Sequence, residues 1–265
     1  VPVLSQADIG AFLADGYVAV RGAVPAPVAA ACRAVIWAEL GRRGVRLDDP
    51  DTWTAPVVRI SCPEGGQFAA AGTTRPLQEA CDQLIGAGRW WRRDGVGGTI
   101  PVRFPSEADP GDAGWHIEGS YQAYGGEQWR VNVGSRSRGL TALYLFTDVT
   151  DHGAPTRVRP GSHLDVPPIL APAGDDGLSG FEASLLAAEA TAHRPTALAT
   201  GRAGDVYLCH PFLVHAASWP HRGRFPRIIA QPAVALHGQY ELRAVPGTPP
   251  PPVEEAIIQG LAQAA

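Results

Sequence analysis

Lysine is missing from this chain altogether; all 22 of its basic residues are arginine. Without an ε-amino group there is no P-loop phosphate anchor, no Schiff-base nucleophile and no pyridoxal-phosphate lysine. Methionine is absent too, so Val1 is expected to be something other than the initiator. The four cysteines, Cys32, Cys62, Cys81 and Cys209, are far apart and form no CxxC pair, and no signal-like apolar segment opens the chain. That pattern suits a reduced, soluble, cytoplasmic protein. No apolar run approaches the roughly 20 residues that span a bilayer, so no membrane partner is expected. The net charge of −4 offers no basic face for nucleic acid or anionic lipid. The one basic cluster, Arg89-Trp90-Trp91-Arg92-Arg93, reads as a solvated turn over buried tryptophans rather than a base-stacking surface. The abundance of Ala, Arg, Gly and Pro suggests a GC-rich bacterial source.

At 265 residues the chain is long enough for one domain with an ample core. We expect a single unit over 1–265: a mostly helical part over 1–94, a β core over 95–237, and a Pro-rich linker leading to a terminal helix over 246–265. Ser5-Gln6-Ala7-Asp8 resembles a capping box, and the apolar stripe behind it ends at Gly16. Tyr17–Val20 reads as a strand, and helices are expected from Pro25 to Gly41 and from Pro76 to Ile85. Beyond Gly95, short apolar segments alternate with Gly, Pro and Asp turns. They predict eight strands: Thr99–Phe104, Trp115–Ser120, Trp129–Val133, Leu140–Phe146, Thr156–Arg159, Asp205–His210, Leu213–Ala217 and Arg227–Ala235. A helical insertion is expected near Gly177–Ala192. The fold class is mainly β with flanking helices, a jelly roll whose closed walls surround a ligand-sized mouth.

The chemistry concentrates in a few scattered residues. His116 and Glu118 are separated by one position, so on a strand they share a face and reach one metal together. With a remote imidazole they make two His and one carboxylate, a set that leaves half of an iron coordination sphere open. An isolated HxE is common, and a half-exposed strand can carry it for no chemical reason. The third ligand is His210 or His215. Their odd spacing puts them on opposite faces of an unbroken strand, but parity does not say which one faces the metal. Arg227 starts the apolar strand Ile228-Ile229-Ala230, where a guanidinium is costly without an anionic partner. A co-substrate carboxylate or a rim Asp or Glu would serve. Arg59 and Arg103 are further candidate anion holders, for a co-substrate or a substrate.

Taken in order, these pieces resemble the phytanoyl-CoA dioxygenase family of Fe(II)- and 2-oxoglutarate-dependent oxygenases. The resemblance runs through LSQADIGAFLADGYVAVRGAVP near the start, WHIEGS at 115–120, TDVTDHGAPTRVRPGSH at 147–163, GDVYLCHPFLVHAAS at 204–218 and PRIIAQP at 226–232. It implies a double-stranded β-helix of the cupin-like, jelly-roll kind. It also implies that His116, Glu118 and His215 hold Fe(II), that Arg227 grips the far carboxylate of 2-oxoglutarate, and that Thr156 touches this co-substrate; Arg103 is assigned to the co-substrate as an anion holder by its charge, not by the resemblance. His210 then becomes a packing residue, and His163 in PGSH belongs to a structural turn. The activity implied is oxidation of an unactivated C–H bond by O2, coupled to decarboxylation of 2-oxoglutarate to succinate. Glu118 stands where most members have Asp, and its extra methylene carries the carboxylate outward. A side chain of that size also argues against halogenation, which needs a small residue at this position.

Two other readings use the same residues. A zinc hydrolase on His116, Glu118 and His215 is chemically allowed, although no HExxH helix or general base accompanies it. A non-catalytic ligand-binding barrel is the other. Trp115, Tyr121, Trp129 and Phe212 are near the motifs in sequence and are expected either to line a substrate wall or to fill the core. A bacterial small molecule of specialised metabolism is the expected substrate.

Overall fold

In a computed structural model, residues 2–122, 126, 128–243 and 247–263 are described. Pro246 of the expected linker and Ala264 at the end of the expected last helix lie outside them.

The Ser5 hydroxyl accepts from the Asp8 amide while the Asp8 carboxylate accepts from the Ser5 amide, a reciprocal cap that starts helix α1 (Gln6–Asp15). Gly16 ends it at φ 83°, where an L side chain is strained, and an added Cβ there would meet the His163 ring. Helices α2 (Ala26–Arg42), α3 (Gly66–Gly72) and α4 (Arg75–Ile85) follow. This N-terminal part gives two strands to the main sheet, the expected β1 (Tyr17–Val20) and an unexpected β2 (Val57–Ser61).

The later strands are β3 (Thr99–Arg103), β4 (Tyr121–Gln122), β5 (Trp129–Val131), β6 (Arg138–Leu145), β7 (Thr156–Val158), β8 (Leu178–Ser179) and β9 (Ala197–Ala199). They continue with β10 (Val206–Cys209), β11 (His215–Ala216), β12 (Arg227–Ala230) and β13 (Ala233–Ala235). Between them lie α5 (Ser162–Asp165), α6 (Pro167–Leu170) and α7 (Gly180–Ala190), and α8 (Pro252–Gln263) closes the described chain. A seven-stranded antiparallel sheet runs β1-β10-β6-β12-β3-β2, with β13 also on β6. Two smaller sheets, β11-β7-β9 and β4-β5-β8, accompany it.

Alternation along the main sheet divides its two faces. Ala142 and Tyr144 of β6, Val206 and Leu208 of β10, and Ile228 and Ala230 of β12 join the core that includes Phe12, Ile36, Phe68 and Leu84 of the helices. Their neighbours Leu143, Leu145, Tyr207, Cys209 and Ile229 turn the other way, against Val158 of β7 and Ala199 of β9. The result is a jelly-roll, cupin-like sandwich of antiparallel sheets with flanking helices.

The walls do not close into the expected barrel. Among the described residues the three sheets stay separate, and several predicted strands are cut short. Pro155 and Pro160 bracket β7, and Pro232 divides the expected Arg227–Ala235 into β12 and β13, because proline has no N–H to give a ladder. Leu213–Ala217 shrinks to β11 alone. Trp115–Ser120 is not a strand at all; it holds one bridge, His116 to His215. The amide and carbonyl of Ile117 are engaged by the Ser184 hydroxyl instead of a neighbouring strand.

Candidate active site

Strand alternation also aims the charges. On β2 and β3, Val58, Ile60, Val102 and Ile100 face the helical core, while Arg59 and Arg103 take the opposite face. Arg103 is the register partner of Arg227 on β12, so both guanidiniums project from that face too. His215 and Thr156, from the small β11-β7-β9 sheet, meet them across a cavity of ≈ 330 Å³. Its remaining wall includes His116, Glu118, Asp112, Thr99, Pro101, Ala217 and Gln231.

His116 and His215 exchange both backbone hydrogen bonds, at 2.9 and 3.0 Å, so their side chains leave the bridge on one side. Their ring centroids are 4.4 Å apart. Each ring is oriented in the same way: Nδ1 of His116 lies 2.9 Å from the Gly114 carbonyl, and Nδ1 of His215 lies 2.9 Å from the Leu213 carbonyl. A carbonyl only accepts, so both Nδ1 atoms carry the proton and both Nε2 lone pairs are left for a metal. Glu118 completes the group, its Oε1 3.6 Å from Nε2 of His215. One ligand atom from each residue fits within 4.8 Å of the others. Gly119 lets the segment after Glu118 pack closely on β5, because a Cβ there would sit 2.6 Å from that of Trp129.

The local electrostatics favour a ligating state. Burial opposes the charge on Glu118, but His215 in its protonated form, Arg138 and protonated His116 outweigh it and bring the carboxyl of the metal-free site down to about 2. Burial, and then neighbouring His215, also lowers His116 below the ordinary imidazole range, which keeps it neutral. Arg138 donates from Nε and Nη2 to the Gly119 carbonyl and stands 3.9 Å from Glu118. Arg157 joins the two histidine segments: its Nη2 donates to the carbonyls of Ala113 and Ala217 at 2.7 and 2.9 Å.

The far end of the cavity is arranged for an anion. Arg227 is buried, with Nη1 on the Ala154 carbonyl and Nε without a partner. Burial and the nearby Arg103 push its guanidinium down to about 9, against the pull of Asp112. Thr156 Oγ1 and Arg103 Nε are likewise buried without partners. Orphaned donors of this kind fit the carboxylate of a dianionic co-substrate, just as two imidazoles and a carboxylate fit a divalent iron. Arg103 is already engaged, with Nη2 at 2.6 Å from both Asp112 oxygens, and Arg59 pairs with the same carboxylate. Asp112 and Arg138 lie outside every motif read from the sequence, and Arg157, though within the 147–163 segment, has no role that the segment assigns.

Other sequence candidates fall elsewhere. His210 is buried, its Nδ1 accepting from the Phe212 amide and its Nε2 donating to the Val253 carbonyl. His163 is buried beside it, 5.0 Å between ring centroids. Of the two readings of the aromatics, wall or core, the wall is not met: none of the four lines the cavity. Trp115 stacks with the guanidiniums of Arg157 and Arg159, Tyr121 bonds the Asp175 and Asp176 carbonyls, Phe212 is core, and Trp129 is exposed. A larger, more apolar cavity of ≈ 470 Å³ is lined by Arg89, Glu241, Pro250, Ile258 and their neighbours, and includes none of the candidate ligands.

Comparison with known proteins bears on the fold and the family. No curated protein matches the chain. Among solved structures it is similar to the non-haem alpha-ketoglutarate-dependent carbocyclase SnoK from nogalamycin biosynthesis, with 19% identity and a TM-score of 0.58 over 94% of this chain and 92% of that one. It is similar to EctD from S. alaskensis with 2-oxoglutarate and 5-hydroxyectoine, at 20% identity and a TM-score of 0.53 over 88% and 76% of the two chains. HygX from Streptomyces hygroscopicus, with nickel, 2-oxoglutarate and hygromycin B bound, gives 16% identity and a TM-score of 0.54 over 91% of each. Identities this low establish the shared fold. The family model for phytanoyl-CoA dioxygenase matches residues 12–229, most of the chain. The protein belongs to the phytanoyl-CoA dioxygenase family and is an Fe(II)- and 2-oxoglutarate-dependent oxygenase.

Proposed function

We propose that His116, Glu118 and His215 hold the iron, that Arg227 with Thr156 anchors 2-oxoglutarate, and that the product is an oxidised small molecule of bacterial specialised metabolism. The observation that carries the reading is the shared cavity. A two-histidine, one-carboxylate group opens on the same space as a buried guanidinium and a buried hydroxyl, both with unpartnered atoms.

Iron and 2-oxoglutarate, when bound, supply O2 activation through oxidative decarboxylation, which no side chain here can perform. The chain's own contribution is orientation and charge. Nδ1 protons on both histidines, held by Gly114 and Leu213 carbonyls, direct Nε2 into the cavity. Arg138, through the Gly119 carbonyl, fixes the backbone next to Glu118. Arg227 sets the direction of the co-substrate by binding its far carboxylate. Whether the oxidation ends in hydroxylation, ring closure or epimerisation depends on how the substrate is held beside this group. One relative in fold is a carbocyclase from nogalamycin biosynthesis and another holds hygromycin B, which supports the substrate class.

A zinc hydrolase gains no support, because the further carboxylate of the cavity, Asp112, is held by Arg103 and Arg59 and is not free to serve as a general base. Fe(II), 2-oxoglutarate and O2 supplied together are expected to give succinate even without the natural substrate, at a slow uncoupled rate. No succinate from protein that retains both iron and 2-oxoglutarate would refute the reading.

A further inference from the structure

Three guanidiniums, Arg59, Arg103 and Arg227, line the cavity, against two carboxylates, Asp112 and Glu118. A divalent iron and a dianionic 2-oxoglutarate add no net charge, so the loaded site keeps one unanswered positive charge. Its location follows from burial and hydrogen bonding. Arg227 is fully buried at the co-substrate end. Arg103 is buried, and its Nη2 contacts both oxygens of Asp112 at 2.6 Å. Arg59 reaches only Oδ2, which it shares with Arg103, and its side chain is 51% exposed. One carboxylate serves two guanidiniums, and the one held more loosely is Arg59.

Arg59 is also placed for a second reactant. It sits on β2, the edge strand of the main sheet, opposite Pro101 on β3. Thr99, on the same face of β3, is bridged to Gln231, and all four residues line the cavity. The strand is fixed at this point, because the Arg59 carbonyl accepts from Arg43. A guanidinium on a rigid edge, beside polar groups and half open to solvent, can exchange Asp112 for a carboxylate brought from outside at little desolvation cost.

We propose that Arg59 binds a carboxylate group on the molecule to be oxidised, so that the substrate is an organic acid; this rests on the functional reading above. The carboxylate lies at the cavity mouth, while the C–H bond to be oxidised points toward His116, Glu118 and His215. Asp112 stays with Arg103 and stops that arginine from competing for the incoming acid.

Protein loaded with Ni(II) and 2-oxoglutarate, which does not turn over, provides the test. Binding of benzoate against benzamide, and of hexanoate against hexanamide, is followed by saturation-transfer NMR, and 2-oxoglutarate retention is measured in the same samples. Each acid is expected to bind at least fivefold more tightly than its amide. That preference should disappear in Arg59→Gln and survive in Arg59→Lys. Equal binding of acids and amides, binding of neither, an acid preference that persists in Arg59→Gln, or loss of 2-oxoglutarate itself from Arg59→Gln overturns this proposal alone. Failure of the wild type to retain 2-oxoglutarate contradicts the functional reading and removes this proposal with it.

Discussion

Arg227 and Arg103 are register partners on adjacent antiparallel strands, so two guanidiniums stand opposite each other on one face of the sheet. Like charges in that relation repel, and burial of Arg227 adds a desolvation cost. Asp112 answers Arg103, while Nε of Arg227 has no partner. A dicarboxylate bound there relieves both penalties. Arg227→Gln is therefore expected to weaken 2-oxoglutarate by at least about 30-fold, equivalent to roughly 2 kcal/mol for a buried charge pair. The same variant should abolish the rise in Tm that 2-oxoglutarate gives the wild type, and a thermal-shift titration measures both. A wild-type shift that persists in Arg227→Gln would place the anchor elsewhere.

Arg157 ties the Ala113 and Ala217 carbonyls, one on each histidine-bearing segment. Removing it loosens the bridge without deleting a ligand. Arg157→Ala is expected to reduce Fe(II) affinity by about 10- to 100-fold, as loss of an outer partner does, with partial recovery in Arg157→Lys. Anaerobic competition with a chromogenic chelator reads the affinity.

His215 and His210 are separated by the same measurement. His215→Ala should lower metal affinity by more than roughly 100-fold, beyond the range of an outer partner. His210→Ala should leave affinity in the folded protein nearly unchanged and lower stability instead, because it strands the buried Phe212 amide at a cost of about 1 to 3 kcal/mol. Chemical denaturation beside the chelator assay distinguishes the two outcomes.

Burial pushes the His163 imidazole down to about 4, so the folded protein prefers it neutral. An unfolded chain holds the ordinary value near 6.5, and between the two pH values it binds more protons than the folded one. Stability from this group is complete above about pH 6.5 and falls as the pH drops toward 4, by a total on the order of 3 kcal/mol. Urea unfolding of the apoprotein at pH 7 and pH 4.5 should show that loss in the wild type and a smaller one in His163→Gln.

Much of the site was legible because spacing on a short segment translates into direction. His116 and Glu118 share a face even though Trp115–Ser120 makes only one bridge, since local alternation does not need a full ladder. Arg227 was legible as a charge in an apolar strand. The choice between His210 and His215 was not, because the turn at Pro211 and Phe212 breaks the strand and with it the parity count. Asp112, Arg138 and Arg157 act through contacts 9, 19 and 60 residues away in sequence, on Arg103, Gly119 and Ala217. No local pattern encodes such contacts. β2 was missed because Val57–Ser61 carries Arg59 in a short run between prolines, and its strand character comes from pairing with β3. The closed barrel failed for a related reason: prolines around β7 and between β12 and β13 end the ladders that closure requires.

The pairing of the His116, Glu118 and His215 group with Arg227 in one cavity is tested most directly by anaerobic addition of Fe(II) and then 2-oxoglutarate, followed by visible absorption. The wild type should develop a metal-to-ligand charge-transfer band that requires both additions. His116→Ala and His215→Ala should lose it at the same concentrations, and Arg227→Gln should need far more 2-oxoglutarate to reach it. Absence of the band in wild type at saturating Fe(II) and 2-oxoglutarate, or its full retention in both histidine variants, would contradict this assignment of the site.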